Sequence, residues 1–237
     1  MLVIGNLLKM FWIKLIQIFL GIVILVFISW FYWRYFWFFR DPKRVSPQGN
    51  NIVSPADGTI VYAKKVKKNQ IPISNKRGKF IDLSKDVKEH LTGEKYLVGI
   101  FMTPFNVHVQ RAPIAGTIKK IKHYKHENLV MTLMWLRIFL NLRPFYSHCN
   151  HMWVNERQIT LIKGVVPVYV VQIADLVVNK IVSFVKPRQT VKKGDRIGLI
   201  KMGSQVDLVF PTTAVELVVK EGDKVKAGES IIATIKK

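Results

Sequence analysis

The chain has 237 residues, 49% of them hydrophobic, which is enough for a sizeable core in one large domain or two small ones. Its formal net charge is +22, and a surface that basic seeks polyanions, either nucleic acid or anionic lipid. Cys149 is the only cysteine, which excludes an intramolecular disulfide and permits a reducing compartment.

The N-terminus favours membrane over nucleic acid. Residues 1–40 contain Lys9, Lys14, Arg34 and Arg40 and no acid, leaving a net +18 to the remainder. From Leu15 to Trp33 no residue is charged. As a helix this stretch would span about 29 Å, close to the hydrocarbon thickness of a bilayer. Trp30, Tyr32, Trp33, Tyr35 and Trp37 cluster at its end, as interfacial aromatics do. The stretch is too long for a cleaved signal peptide, and no small-residue cleavage site follows it. We therefore expect a membrane anchor over residues 1–39, as a transmembrane helix or a re-entrant or interfacial hairpin. Arg34, Arg40, Lys43 and Arg44 follow the apolar stretch, and the positive-inside rule places the chain after it in the cytoplasm.

Residues 41–51, rich in Pro, Gly and Asn, read as a linker into a second region, 40–237. Short β-type runs then dominate: Thr59–Val66, Tyr96–Met102, Asn106–Arg111, Thr117–Tyr124, Ile159–Ile162 and Val165–Ala174. Outside the N-terminus helical periodicity is scarce, with one or two turns around Leu83–Leu91. Residues 129–142 are almost wholly apolar, with Arg137 inside and Arg143 just after. That run is too short to cross a bilayer, so it is a buried helix or an interfacial segment dipping Met, Trp and Phe into lipid. The C-terminal third holds a near-repeat. Lys193-Gly194-Asp195 and Glu221-Gly222-Asp223 each sit between β-type runs, a pattern similar to the hairpins of lipoyl and biotinyl domains. The predicted fold is mainly β, a barrel-sandwich-like domain with few short helices.

Three polar positions interrupt apolar or turn contexts. Asp57 lies in Val53-Ser54-Pro55-Ala56-Asp57-Gly58, His108 in Phe105-Asn106-Val107-His108-Val109-Gln110-Arg111-Ala112-Pro113, and Ser204 directly after Gly203. Taken singly, each is most simply a turn residue, a hydrogen-bonded strand residue and a bulge. With Asn155-Glu156-Arg157, Val170-Val171-Gln172-Ile173-Ala174 and Val206-Asp207-Leu208-Val209-Phe210-Pro211, in this order over roughly residues 38 to 237, they resemble the phosphatidylserine decarboxylases, more closely the short form of that family.

The resemblance implies a self-cleaving proenzyme. Ser204, activated by a His108–Asp57 pair, would attack the Gly203 carbonyl. The chain would part into a beta chain, 1–203, and an alpha chain, 204–237, which stay associated. Ser204 would become a pyruvoyl group that forms a Schiff base with phosphatidylserine and releases carbon dioxide and phosphatidylethanolamine, with no metal. The implied partners are an anionic phospholipid substrate and the membrane surface, with no nucleic acid; a homo-oligomer is compatible. Asn155, Glu156 and Arg111 are candidate substrate-binding residues. The chain departs from longer family members in carrying Arg111 where they have a second histidine, and in reading Met202-Gly203-Ser204-Gln205 at the cleavage sequence. His148-Cys149-Asn150-His151 is poorly spaced for a metal site and is assigned to a loop. The rival reading is a membrane-anchored, non-enzymatic barrel-sandwich adaptor or carrier. Lys201-Met202 supplies only half of a carrier's lysine context.

Overall fold

A computed structural model describes residues 2–66, 93–125, 128–147, 149, 155–175, 181–201, 203–213 and 215–236. The predicted turns at Leu83–Leu91 lie outside these, as do His148, Asn150 and His151. The chain divides into two compact units, Met1–Arg40 and Asp41–Lys237.

The first unit is a helix, α1 (Leu2–Tyr32), continued by a π-helical turn over Trp33–Trp37. Apolar side chains project from it on every side, so no single face is marked for a protein core. Lys9–Trp37 is long and apolar enough to cross a bilayer. At its end the Arg40 guanidinium lies 4.3 Å from the Trp37 ring centre, and Arg34 sits over Tyr35, Phe38 and Phe39.

The second unit is built of curled antiparallel sheets. The largest has eight strands: β2 (Gly58–Val66), β3 (Lys95–Met102), β5 (Gly116–Tyr124), β6 (Arg157–Lys163), β7 (Pro167–Ala174), β9 (Thr190–Val191), β11 (Ser204–Pro211) and β13 (Lys224–Val225). Their spatial order is β13-β2-β3-β11-β7-β6-β5-β9. Two three-stranded sheets complete the unit. One joins β1 (Asn51–Val53), β14 (Ile231–Ile235) and β12 (Val215–Leu217). The other joins β4 (Val109–Arg111), β10 (Arg196–Ile200) and β8 (Ile181–Ser183).

Alternation along β11 feeds two cores. Val206, Leu208 and Phe210 enter one shared with residues of the small sheets, including Ile52, Ile200 and Ile232. Val209 enters the other, with Tyr62, Tyr169 and Val171, and there the segment 131–149 contributes Met131, Met134, Phe145 and Cys149. The helix in that segment, α2 (Thr132–Phe139), is one of two α-helices among the described residues.

The near-repeat is a pair of matching turns. Gly194 and Gly222 adopt φ of +87° and +98°, and the following aspartates accept equivalent bonds, Lys192 N–H to Asp195 at 2.7 Å and Lys220 N–H to Asp223 at 2.9 Å. Two predicted strands are shorter than expected, Val165–Ala174 by two residues and Asn106–Arg111 by three. Residues 106–108 are not in β4, because the Asn106 side-chain oxygen takes the Thr103 N–H and hydroxyl, both at 2.8 Å, and closes a turn.

The segment after residue 40 is pinned along its length. Asp41 bridges Arg111 and Arg196. Arg44 bridges Asp57 and Glu229, each at 2.9 Å, with the Arg44 and Asp57 side chains only 8% and 11% exposed. Removing one partner of such a buried pair strands the other, which costs about 3–5 kcal/mol. Arg44→Ala in the Ser204→Ala background is expected to lower the urea midpoint accordingly, while Lys236→Ala, which removes an exposed partner of Glu216, leaves it nearly unchanged.

Candidate active site

Ser204 opens β11, the strand between β3 and β7, where it lies opposite Met102 on one side and Ala174 on the other. It is fully buried, and its Oγ makes no hydrogen bond to any described residue. Gly203 before it has φ +50°, in the left-handed region, and a Cβ there would collide with the Asp175 carboxylate. Glycine is therefore demanded twice, by backbone conformation and by space. Asp175 follows β7 directly, and in the sequence nothing about a lone aspartate after a strand marks it.

His108 is fully buried. Its Nδ1 lies 2.9 Å from the Asn106 carbonyl oxygen, which can only accept, so Nδ1 carries the proton and Nε2 is the basic nitrogen of the neutral ring. The histidine backbone is held by a relay of buried amides. Gln158 donates to Gln172 at 3.1 Å, Gln172 to Gln110 at 2.9 Å, and Gln110 to the His108 carbonyl at 2.7 Å. Gly198 leaves the room that Gln172 occupies. The Gln110 amide also touches the sulfur of Met102, the residue opposite Ser204. His108 is thereby tied to the end of the large sheet at which β11 begins.

Asp57 has other partners than the pairing expected with His108. Its carboxylate accepts two bonds from Arg44, at 2.9 and 3.2 Å, and one from the Ala227 N–H at 2.7 Å. Its loop reaches β4, which directly follows His108, through the backbone, where the Arg111 N–H donates to the Pro55 carbonyl at 2.8 Å.

The three candidate substrate residues are likewise committed to protein groups. Asn155 donates to the carbonyls of Leu129 and Ala174, at 2.7 and 2.8 Å, and accepts from the Leu129 N–H at 2.8 Å. Glu156 meets His123 Nε2 at 2.8 Å. Arg111 holds Asp41 and the carbonyls of Pro42 and Gly194, and lines a cleft of about 490 Å³ with Arg44, Lys193 and Arg196. Cys149 is buried, and burial pushes its thiol up to about 11. Among the described residues no three His, Cys, Asp or Glu side chains gather as a metal site.

Immediately downstream of Ser204 lies a buried polar cluster. Tyr62 donates to Asp207 at 2.7 Å, and Gln205 donates to Asp207 and to the Tyr62 oxygen, both at 2.7 Å. Burial raises the Asp207 carboxyl to about 6, against the lowering effects of those bonds and of Arg157. Burial, then Asp207, raises the Tyr62 hydroxyl well above its usual range, and burial lowers Arg157 to about 10.

The sequence profile of the phosphatidylserine decarboxylase family matches residues 31–233. The chain belongs to that family. It is 39% identical over 199 residues to a Methanocaldococcus jannaschii protein named "Putative archaetidylserine decarboxylase proenzyme", covering 83% of this chain and 87% of that one. It is 34% and 37% identical, each over 205 residues, to phosphatidylserine decarboxylase proenzymes of Desulfotalea psychrophila and of a Wolbachia from Brugia malayi. These matches cover 84% and 85% of this chain and 78% and 75% of the relatives. Membership makes the chain a decarboxylase.

The Asp207 shift has a sign. A carboxyl raised in the folded state favours its protonated form there, so its stabilising contribution is complete below about pH 4 and is lost as pH rises through about 6. Melting detergent-solubilised wild type beside Asp207→Asn should show the wild type losing ground to the variant across that window. A constant difference between the two would contradict the assignment.

Proposed function

We propose that the chain is a self-cleaving proenzyme whose product decarboxylates phosphatidylserine, or its archaeal ether counterpart, to the ethanolamine lipid. The observation that carries this reading is the Gly203–Ser204 bond. It joins a left-handed glycine to a buried serine whose hydroxyl is bonded to no described residue, at the head of a central strand. No ground-state hydrogen bond from those residues competes with attack.

In the proposed cleavage, neutral His108 takes the Ser204 hydroxyl proton through Nε2 as Oγ bonds to the Gly203 carbonyl carbon. The proton passes to the departing Ser204 nitrogen as the peptide C–N bond breaks, leaving an ester. Loss of the Ser204 Cα proton then breaks the Cβ–Oγ bond and frees the Gly203 carboxylate. Addition of water and loss of ammonia leave a pyruvoyl group heading residues 205–237. That group would supply an electron-withdrawing carbonyl that takes the head-group amine and accepts the electron pair released as carbon dioxide leaves. The buried setting of Ser204 and His108 supports this, since it limits water around a reactive carbonyl. Asp57 serves as a positioning residue, fixing the loop that bonds the Arg111 N–H three residues beyond His108. Residues 1–39 anchor the enzyme to the membrane, with the catalytic unit on the cytoplasmic side and the two chains remaining associated.

Expressed protein should resolve into chains ending at residue 203 and beginning at residue 204, the smaller with a blocked pyruvoyl start by mass spectrometry. Ser204→Ala and His108→Ala should stay whole. Asp57→Ala and Arg44→Ala should slow cleavage to a similar degree. An uncut Asp57→Ala beside a normally cut Arg44→Ala would instead assign Asp57 to His108 directly. A wild-type chain that stays intact while turning over lipid would falsify the cleavage reading.

A further inference from the structure

α2 departs from the usual surface helix. Its inward side is ordinary: Met131 and Met134 are buried, and Ile138 packs against the same core. Its outward side should be polar in a soluble domain, yet it presents Leu133, Trp135, Leu136, Phe139 and Leu140. Phe139 is 74% exposed, and its ring stacks on Trp135 with centres 5.9 Å apart. From residue 128 to 155 there is no acidic residue, while Arg137 and Arg143 flank the apolar side chains.

The root of this segment is fastened to the scissile bond. Asn155 clamps both backbone groups of Leu129 and also holds the carbonyl of Ala174, the residue opposite Ser204. Asp175, against which Gly203 packs, accepts the Met131 N–H at 3.2 Å. One side chain on each path therefore separates an exposed apolar helix from the cleavage site.

We infer that the outer face of α2 is a membrane-contact surface of the catalytic unit, whose occupant is an anionic phospholipid bilayer. Its aromatic and leucine side chains enter the boundary between head groups and acyl chains, and Arg137 and Arg143 meet lipid phosphates. The absence of acids across 128–155 and the chain's net charge of +22 supply the charge complementarity. Through Asn155 and Asp175 the contact sets the Ser204 region against the head-group layer. This last step rests on the proposed lipid substrate.

The test uses the full chain in vesicles. Phe139→Cys in a Cys149→Ser background carries an environment-sensitive dye. In vesicles containing anionic phosphatidylglycerol, nitroxides on lipid acyl chains should quench the dye several-fold more than aqueous iodide does. Vesicles of neutral lipid should show a smaller difference. Equal iodide quenching in both vesicle types, or protection from both quenchers as a second copy or protein partner would give, overturns the inference. Trp135→Ser with Phe139→Ser should cleave normally and keep kcat on a short-chain soluble phosphatidylserine, while KM for vesicle lipid rises on the order of tenfold. If wild type fails to decarboxylate, the lipid reading fails and the quenching result still stands on its own. Decarboxylation without acyl-chain quenching defeats only the contact.

Discussion

The structure depends on one constraint, that β11 is buried from end to end between two partner strands. Its register with β3 runs unbroken from Ser204 to Pro211, and with β7 from Ser204 to Val209. A strand held on both sides does not need a covalent link at its head to stay in place. In the proposed cleavage, breaking the Gly203–Ser204 bond leaves those ladders standing. The alpha chain then remains in the sheet because its strand is the middle of it.

Side-chain contacts reinforce that retention from several directions. Arg44 reaches Glu229, and Asp57 accepts the Ala227 N–H, so residues before and after Gly203–Ser204 share one clasp. Tyr62 on β2 and Asp207 on β11 share a short hydrogen bond. The clasp and the cluster differ in cost. Arg44 faces two carboxylates and its charge is met, whereas the Asp207 carboxyl is raised to about 6 because burial outweighs its partners. A buried carboxyl there trades stability for a fixed Gln205, the residue adjoining Ser204.

Much of the fold was legible from local pattern. Period-two alternation gave most of the strands, and Gly-Asp pairs gave the two matching turns, because strand faces and left-handed turns are decided by neighbours in sequence. What escaped was decided at long range. The linker read from Pro, Gly and Asn at 41–51 is pinned by Arg44 to Glu229, 185 residues away. Asp57 was expected beside His108, but Arg44 takes it. Asp175 carried no motif and is known only by what packs on it. Residues 129–142 defeated periodicity, since apolar residues all round a helix do not say which side a core will choose. Asn155, Glu156 and Arg111 stand out in sequence as polar groups in motifs, and in the structure each makes hydrogen bonds or ion pairs to protein groups.

Those committed partners bear on Arg111, at the position where the resemblance to longer family members leads one to expect a second histidine. A guanidinium stays charged and has no acceptor, so it cannot relay a proton as an imidazole does. Here it is turned toward Asp41 and the carbonyls of Pro42 and Gly194, holding the segment that leaves residue 40. Of the two positions, only residue 108 retains a side chain able to take and return a proton. Asn106 sets its tautomer, and the Gln158–Gln172–Gln110 relay fixes its backbone. In the proposed cleavage His108 must be positioned for Ser204. The relay crosses from β6 through β7 to β4, and none of its three glutamines lies on β11, the strand that would begin the alpha chain in the proposed cleavage.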